Sequence, residues 1–412
     1  MSDFNTLDDF NFENKTVLLR VDFNLPLNKK THEILDATRI KLVLPTIKEL
    51  VEKKAKIVIL AHQGREGSWD FISLERHAKA LQNLLKKDVK FVNDIFGDTA
   101  INEIKRLKPG EILLLDNVRK FPGETDKKSA EEHSNSDLVK NLSKVSDIFV
   151  NDAFAAAHRA QCSLIGFTTV LPSCAGRLME KELNTLEKIV KNPEKPSVFL
   201  FGGAKFSDVI VTIDRILTQK TADSVLLTGL PANAFLKAKG FNLGEKNEKI
   251  LNEEGGNKEF EEIKKLLGKF EKFIHLPIDF GIDENNERKE IELDELPTKY
   301  SLFDIGEKTI KRFKELLSNA KTVFLSGPCG VFENKLFRKG TKEIFNFVAN
   351  SNSFSIVGGG HTVAAIEQLG LRDKISHIST GGGSLEKMMM GEKLVVVEAL
   401  KKAKNKQVIK LQ

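Results

Sequence analysis

The sequence has little cysteine, no long apolar run and almost no excess charge, and each shortage excludes a class of protein. Three cysteines in 412 residues, without CxxC spacing, are too few for a disulfide framework and indicate free thiols. A membrane span needs roughly 18 or more apolar residues in a row, and no such run occurs. The acidic, polar segment Met1–Lys15 has no apolar core of a secretory signal. A cytoplasmic protein is expected.

The charge balance also argues against two kinds of partner. Lys and Arg number 64 against 58 Asp and Glu, a net charge of +6. No basic tail or block indicates nucleic acid or an anionic membrane surface, so neither is expected as a partner. Hydrophobic residues at 41% and charged residues at 30% are typical of a globular chain. The length predicts two or three domains of ~100–200 residues each.

Short apolar runs alternate with amphipathic stretches along the whole chain. In the first half the predicted strands are Thr16–Val21, Lys56–Leu60, Val89–Val92, Glu111–Leu115 and Asp147–Val150. In the second half they are Ser197–Phe201, Ser224–Leu227, Thr322–Leu325, Ser353–Val357 and Ile375–Ile378. Helical patterns between them include 37–53, 73–85, 180–190 and 309–317. This alternation predicts an α/β fold with two doubly wound parallel-sheet, Rossmann-like domains.

A domain boundary is expected where Pro172 and Gly176 interrupt the pattern before a long helix. We therefore predict a first domain over residues 1–178 and a second over 179–399. The segment 400–412 is expected to pack back on the first domain. The two domains are expected to face each other across a hinged cleft.

Basic and polar side chains follow the strands of the first half, where ligands of parallel sheets bind. They are Arg20-Val-Asp22-Phe-Asn24, His62-Gln63-Gly64-Arg65, Asn117-Val-Arg119 and Asn151-Asp152 leading to His158-Arg159, with Arg39 at the start of the first helix. Any one of these arginines alone would more often be a surface residue in a weak ion pair. Four such strand ends together indicate a small, multiply charged anion, because guanidinium groups match phosphate and carboxylate oxygens.

The strand ends of the second half carry glycine instead. The turns are Gly202-Gly203-Ala204-Lys205, Gly229, Gly327-Pro-Cys-Gly330, Gly358-Gly359-Gly360-His361-Thr362 and Gly381-Gly-Gly383-Ser384. A single glycine turn is often only a tight connection. Five of them indicate a nucleotide, because glycine lets backbone N–H groups approach phosphates. The patterns GxxxxGK[ST], GxGxxG, HExxH and GxSxG are absent, which disfavours a P-loop enzyme, a dinucleotide-dependent dehydrogenase and other familiar sites. Phosphoryl transfer is the expected chemistry.

These motifs, in this order, resemble phosphoglycerate kinases. The resemblance rests on Leu19–Pro26, His62–Arg65, Leu115–Arg119, Val150–Phe154, Ala157–Arg159, Gly202–Lys205, Gly327–Glu333, Ile356–Gly360 and Ser379–Gly383, and it covers nearly the whole chain. Gln63 and His361 are similar to the archaeal branch of that family.

The resemblance implies reversible phosphoryl transfer between 1,3-bisphosphoglycerate and ADP, giving 3-phosphoglycerate and ATP. It implies that His62, Gln63, Gly64, Arg65, Arg119 and Arg159 belong to the site that grips the 3-phosphate, while Asp22 and Asn24 orient the glycerate. Arg39 would reach the transferred phosphoryl group and, with Lys205, Gly360 and Gly383, form the catalytic set. Gly203, Ala204, Lys205, Gly229, Gly358, Gly359, Gly360, His361 and Thr362 would bind the nucleotide, with Glu333 on its ribose.

Three positions depart from the family pattern. Val209 stands where a second lysine is usual, Ser326 replaces an asparagine before Gly-Pro, and His361 replaces a magnesium-binding aspartate. Since Mg²⁺ prefers oxygen ligands, we expect it to bind mainly through the nucleotide phosphates and assign it no protein ligand.

These departures leave an alternative: a catalytically weak relative that binds nucleotide and phosphoglycerate without efficient turnover. Retention of Arg39 and Lys205 favours the active enzyme. Either a monomer or a homodimer is compatible with the sequence.

Overall fold

A computed structural model describes residues 3–410, except for the side chains of residues 407–410. It divides into two compact units, each with its own core. One contains the chain up to Asn184 together with the segment from Lys393 onward, and the other contains Thr185–Glu392.

The strands are short and most are buried. Those of the first unit are β1 Thr16–Arg20, β2 Lys56–Leu60, β3 Lys90–Val92, β4 Ile112–Leu115, β5 Ile148–Asn151 and β6 Ser173–Ala175. Those of the second are β7 Ser197–Phe201, β8 Ser224–Leu227, β9 Ile274–His275, β10 Asp279–Glu284, β11 Glu287–Glu292, β12 Leu302–Ile305, β13 Thr322–Ser326, β14 Phe354–Gly358 and β15 His377–Ile378.

Helices connect the strands and cover the sheets. The α-helices up to the division are α1 Thr38–Glu52, α2 Glu75–Leu85, α3 Asp98–Arg106, α4 Ala130–His133, α5 Asp137–Ser143, α6 Cys162–Ile165 and α7 Arg177–Lys191, within which the division falls. Then follow α8 Ser207–Thr218, α9 Gly229–Ala238, α10 Glu245–Glu254, α11 Asn257–Phe270, α12 Glu307–Leu317, α13 Lys339–Ala349, α14 Gly360–Gln368, α15 Gly383–Met389 and α16 Val395–Lys410. The described residues also contain nine short 3₁₀ helices, at 7–9, 118–120, 122–125, 154–156, 166–169, 271–273, 293–295, 335–337 and 372–374.

Each unit is built on a six-stranded sheet whose strands all run parallel. The order is β3-β4-β2-β1-β5-β6 in the first unit and β15-β14-β13-β7-β8-β9 in the second. In both sheets, strands that are buried on both faces read as continuous apolar runs, as in Ile112–Leu115 and Ser224–Leu227. The predicted class, two parallel-sheet α/β domains, is confirmed.

A small antiparallel sheet in the second unit was not predicted from the sequence. Its strand order is β11-β10-β12, and β10 and β11 form a hairpin around Asn285 and Asn286. Both asparagines have positive φ, 59° and 63°, the conformation that a two-residue hairpin turn of type I′ requires. The strand Glu287–Glu292 carries mostly charged residues and is largely exposed, so no apolar run marks it.

The last helix packs within the first unit. The backbone N–H of Val396 donates to the carbonyl of Ala157 at 3.1 Å, and Leu400 and Ala403 are buried. Of the segment 400–412, residues 411 and 412 and the side chains of 407–410 lie outside what the structure describes. No helix among the described residues is long and apolar enough to cross a membrane.

Candidate active site

In the first unit, β1 lies between β2 and β5, so the loops that follow these three strands meet at one edge of the sheet. The chain runs from β1 to β2 on one side of this position and from β5 to β6 on the other. Such a reversal of strand order is the switch point at which open α/β sheets bind ligands. Asp22 and Asn24 follow β1, His62 follows β2, and Arg159 follows β5. The structure therefore brings these predicted residues together.

Asp22 lies at the centre of this edge and contacts two predicted site residues. Its Oδ2 accepts a hydrogen bond from Arg39 Nη1 at 2.7 Å, and its Oδ1 lies 4.0 Å from His62 Nδ1. Burial raises the pKa of this carboxyl, but the groups around it, among them the charge of Arg39 and a hydrogen bond from the Asn24 N–H, hold the pKa below its usual range. Asp22 is thus a fixed carboxylate that holds Arg39 beside the site.

Arg20 fixes the proton position on His62. The Arg20 side chain is fully buried, and its Nη2 lies 3.3 Å from His62 Nδ1. Arginine can only donate, so Nδ1 must accept and the proton of the neutral imidazole must lie on Nε2. Burial, opposed in part by Asp22 and supported by the charge of Arg20, holds the pKa of His62 well below its ordinary value. His62 can therefore offer an uncharged N–H donor.

Three further arginines supply positive charge that no carboxylate offsets fully. Arg119 is 8% exposed, and its Nε has no hydrogen-bond partner among the described residues. Burial first, and then the charges of Arg159 and Arg20, lower its pKa to about 10. Arg65 is exposed and also contributes to this effect. Cations that lie close together and partly out of water are costly without a counter-ion, so this cluster favours a multiply charged anion.

Arg159 belongs to the same cluster. Burial lowers its pKa, Asp22 opposes that effect, and the positive charge of Arg65 adds to it. Its Nε donates to His158 Nε2 at 3.2 Å, which leaves the rest of the guanidinium available.

Two predicted residues hold loops rather than present free side chains. Gln63 is fully buried; its Oε1 accepts from the backbone N–H of Leu25 at 2.8 Å, and its Nε2 donates to the Leu25 carbonyl at 3.2 Å. Asn24 Oδ1 accepts from the N–H of Gly64 at 2.9 Å. The Arg119 guanidinium donates to the Gly64 carbonyl. The loops after β1, β2 and β4 are therefore bonded to one another.

Sequence reasoning assigned no role to three residues that support this edge: Arg20, Asn117 and Glu124. Asn117 Nδ2 donates to the Gln63 carbonyl at 2.7 Å. Glu124 is fully buried and accepts from Ser163 N and Oγ at 2.8 and 2.7 Å, and burial raises its pKa although Arg20 lies 3.9 Å away. Arg20 and Asn117 belong to the quoted motifs, whereas nothing adjacent in sequence marks Glu124.

In the second unit, the parallel strands in chain order are β7, β8, β9, β13, β14 and β15. Their arrangement corresponds to the order 3-2-1-4-5-6, in which dinucleotide-binding folds place the ligand where the order reverses. Here that point lies between β7 and β13. The glycine turns Gly202–Lys205 and Gly327–Gly330 follow these two strands.

A cavity of about 610 Å³ opens at this switch point, within the size range of small-molecule sites. Gly203, Ala204, Lys205, Gly229, Glu333, Gly359, Gly360, His361 and Thr362 are predicted nucleotide-binding residues that line it. Phe303, Phe324, Leu302, Leu385 and Met389 add apolar surface. The wall thus combines backbone polar groups with apolar side chains.

Glycine is required where two turns touch. A Cβ on Gly202 would lie 2.3 Å from the carbonyl oxygen of Pro328, and one on Gly327 would lie 2.2 Å from that of Gly202. Gly360 has no atom within 4 Å of its Cβ position, so its backbone is open toward the cavity. Some glycines therefore allow close packing, whereas Gly360 leaves room for a ligand.

Three helices begin at the cavity. Ser207, Gly229 and Gly360 are the first residues of α8, α9 and α14. Unpaired N–H groups and the helix dipole make such ends favourable for phosphate. The hydroxyl of Thr362 accepts from the Gly327 N–H at 2.7 Å, which ties the turn after β13 to the start of α14.

Charged side chains stand at the cavity mouth. Lys205 is exposed and forms no ion pair with any described residue. His361 Nδ1 lies 3.6 Å from Glu333 Oε1, and both side chains are exposed. Val209 lines the cavity where the second lysine would stand.

Gly358 and Gly383 do not line the cavity. A Cβ on Gly358 would lie 2.2 Å from Leu385 Cδ2, so this glycine makes room for a side chain of the wall. Gly383 begins α15, two residues before Leu385. In this arrangement both glycines can affect the cavity only indirectly, through the position of Leu385 in its wall.

A cluster of arginines on one parallel sheet and a nucleotide-sized cavity on another suit a kinase that acts on a small acid. Comparison with known proteins gives the same class. A family model described as phosphoglycerate kinase matches residues 7–392. A phosphoglycerate kinase of Methanobacterium bryantii is 49% identical, with 98% of each chain covered. One of Methanococcus maripaludis is 48% identical over 98% of this chain and 99% of the relative.

Solved structures agree. The phosphoglycerate kinase of Pyrococcus horikoshii OT3 superposes with a TM-score of 0.88 and 42% identity, covering 97% of this chain and 99% of that one. The phosphoglycerate kinase of Coxiella burnetii superposes with a TM-score of 0.83 and 33% identity, with the same coverage of both chains. The chain belongs to the phosphoglycerate kinase family, and it is a phosphotransferase. The predicted family and its archaeal branch are confirmed.

Proposed function

We propose that the two units divide the family reaction between them. The first unit binds 3-phosphoglycerate or the 3-phosphoglycerate part of 1,3-bisphosphoglycerate, and the second binds ADP or ATP. The observation that carries this assignment is the cluster of Arg65, Arg119 and Arg159. After burial, the charges of Arg159 and Arg65 help to lower the pKa of Arg119, and the charge of Arg65 helps to lower that of Arg159. A nucleotide cavity alone would fit many enzymes, but this cluster supports a second, polyanionic substrate.

We assign the nonreacting 3-phosphate to Arg65, Arg119, Arg159 and the Nε2–H of His62. Asp22 and the backbone around Asn24 and Gly64 orient the glycerate. Gln63 serves this site indirectly, by holding the loop after β1 through Leu25.

Arg39 is the group we assign to the transferred phosphoryl group. It lies at the second residue of α1, is 38% exposed and is held by Asp22. Because Asp22 fixes one nitrogen, the rest of the fork is free for phosphoryl oxygens. Lys205, the open backbone at Gly360 and the start of α14 supply favourable interactions on the nucleotide side.

The reaction itself needs no proton acceptor. The bond between phosphorus and the acyl oxygen breaks, a bond from phosphorus to a β-phosphate oxygen of ADP forms, and the leaving group is a carboxylate. What the protein must overcome is repulsion between two anions, so positioning and fixed positive charge carry catalysis. In-line transfer also requires the two ligands to meet, and we propose that the units close on each other during turnover.

Mg²⁺ fits this site as a metal carried by the nucleotide. No group of three or more His, Cys, Asp or Glu side chains converges among residues 3–406, and Mg²⁺ commonly binds phosphates and keeps several waters. The carboxylates of Asp208 and Glu333 line the same cavity. Bound there, the metal would neutralise phosphate charge.

We further propose that the enzyme acts in the cytoplasm, as a monomer or a homodimer. The three cysteines are unpaired and buried, which suits a reducing compartment.

A coupled assay of the purified protein in both directions tests the function. Turnover with 3-phosphoglycerate and MgATP, and with 1,3-bisphosphoglycerate and MgADP, supports the active enzyme. Saturable binding of both ligands without turnover would instead favour the catalytically weak relative that Val209 and His361 suggest.

A further inference from the structure

Asn233 is a largely buried residue whose side-chain amide forms no hydrogen bond within the described part of the protein. It lies on α9, one turn beyond Gly229, is 5% exposed and lines the 610 Å³ cavity. Its amide forms no hydrogen bond with any residue that the structure describes. Buried side-chain amides are normally bonded, since each offers two donors and an acceptor. The amide of Asn233 is therefore open to a ligand in the cavity that Asn233 lines.

A second asparagine of the same cavity shows the contrast. Asn247 Nδ2 donates to the carbonyls of Leu243 and Tyr300 at 2.8 and 2.9 Å, and its Oδ1 accepts from the N–H of Leu302 at 2.9 Å. Its amide is fully used in fixing the wall at residues 300–302. Asn233 holds no wall, so its amide is available to a ligand.

The surroundings of Asn233 indicate which part of a nucleotide meets it. Together with Leu302, Phe303 and Cys329 it also lines a small adjoining pocket. Lys205 and His361, in contrast, are exposed at the mouth. Phosphates suit the charged side chains and the helix starts, whereas a flat heterocycle with apolar faces and a polar edge suits the apolar part of the wall around Asn233.

We propose that Asn233 recognises the adenine edge of the nucleotide and is a specificity-determining residue. The inference rests on the proposed nucleotide site. A carboxamide matches adenine in two ways at once, because its oxygen accepts from the 6-amino group while its nitrogen donates to a ring nitrogen. Asn233 makes no contact with reacting atoms in this arrangement, so it affects nucleotide affinity and leaves the chemical step unchanged.

The test compares ADP with purine riboside diphosphate, which lacks the 6-amino group, by titration calorimetry of the full chain. We expect the wild type to bind ADP roughly tenfold more tightly than the analogue, in keeping with one buried hydrogen bond. In Asn233→Leu the two ligands should bind with equal affinity, and ADP should lose roughly tenfold. The 3-phosphoglycerate affinity should not change.

Controls separate this role from a structural one. Ile250→Ala alters another cavity-lining side chain that has no polar group, and it should leave the ratio of ADP to analogue affinity at the wild-type value. If Asn233→Leu fails to melt cooperatively, Asn233→Ala takes its place. Equal affinity of the wild type for both ligands, or a wild-type ratio in a folded Asn233 variant, would overturn the proposal.

Different results would contradict the proposed function and the role of Asn233. No ADP binding by the wild type, or no turnover in the coupled assay, would contradict the nucleotide-dependent reaction itself. ADP binding with an unchanged ratio would contradict only the role of Asn233.

Discussion

Replacing Arg39 with alanine separates catalytic from structural contributions. Arg39 pairs with Asp22 at 2.7 Å, but its side chain is 38% exposed, so the pair should contribute only ~0.2–1 kcal/mol to stability. Its proposed role is confined to the transferred group. Removing one preorganised charge contact of this kind costs roughly 10²–10³ in rate. Val209 leaves fewer cations to share that charge, so we expect a loss in kcat of ~10²–10⁴, or about 2.7–5.4 kcal/mol.

Steady-state kinetics in both substrates, with a thermal melt of each variant, measure these effects. Both KM values should stay within a few fold, because stabilisation is confined to the transition state. Arg39→Lys should recover only part of the rate, since a point charge cannot span two oxygens. The matched control is Arg106→Ala, which removes a 73% exposed guanidinium paired with Glu103, and it should leave kcat unchanged. A folded Arg39→Ala enzyme that keeps more than about a third of wild-type kcat, far above this range, would refute the assignment.

Three further outcomes are expected. Arg65→Ala or Arg119→Ala should raise the 3-phosphoglycerate KM roughly tenfold or more and leave the nucleotide KM unchanged; a shifted ATP KM alone would contradict the placement. His77 is buried, and burial lowers its pKa to about 4. As the pH falls through 6.5, this histidine is therefore protonated in the unfolded chain but stays neutral in the folded protein. The stability advantage of wild type over His77→Gln, followed by chemical denaturation, should therefore shrink by about 3 kcal/mol between pH 7 and pH 4; a pH-independent advantage would exclude this effect. In small-angle scattering, both substrates together should reduce the radius of gyration more than either alone, and an unchanged radius would count against closure.

The sequence predicts the parallel sheets well because their strands are short apolar runs between turns. Ser197–Phe201 and Ser224–Leu227 begin and end as predicted. The hairpin of β10 and β11 has no such run, and only Asn285-Asn286 marks its turn. β6 was also missed, because Ser173–Ala175 has three residues and follows a proline that indicates a loop.

The candidate site could be predicted in part, for a related reason. Residue types at strand ends indicate which groups gather at an edge, and Asp22, His62 and Arg119 illustrate this. They do not show which way a side chain turns. Gln63 bonds to the Leu25 backbone, and Asn233 faces the cavity unpaired, because of tertiary contacts that no local pattern encodes.

The central claim is that the first unit binds the phosphoglycerate and the second binds the nucleotide. Hydrogen exchange of the full chain with each ligand alone tests it most directly. 3-Phosphoglycerate should protect the loops after β1, β2, β4 and β5, whereas ADP with Mg²⁺ should protect those after β7, β8, β13 and β14. Protection of the first set by ADP alone, with the second set unaffected, would contradict the account.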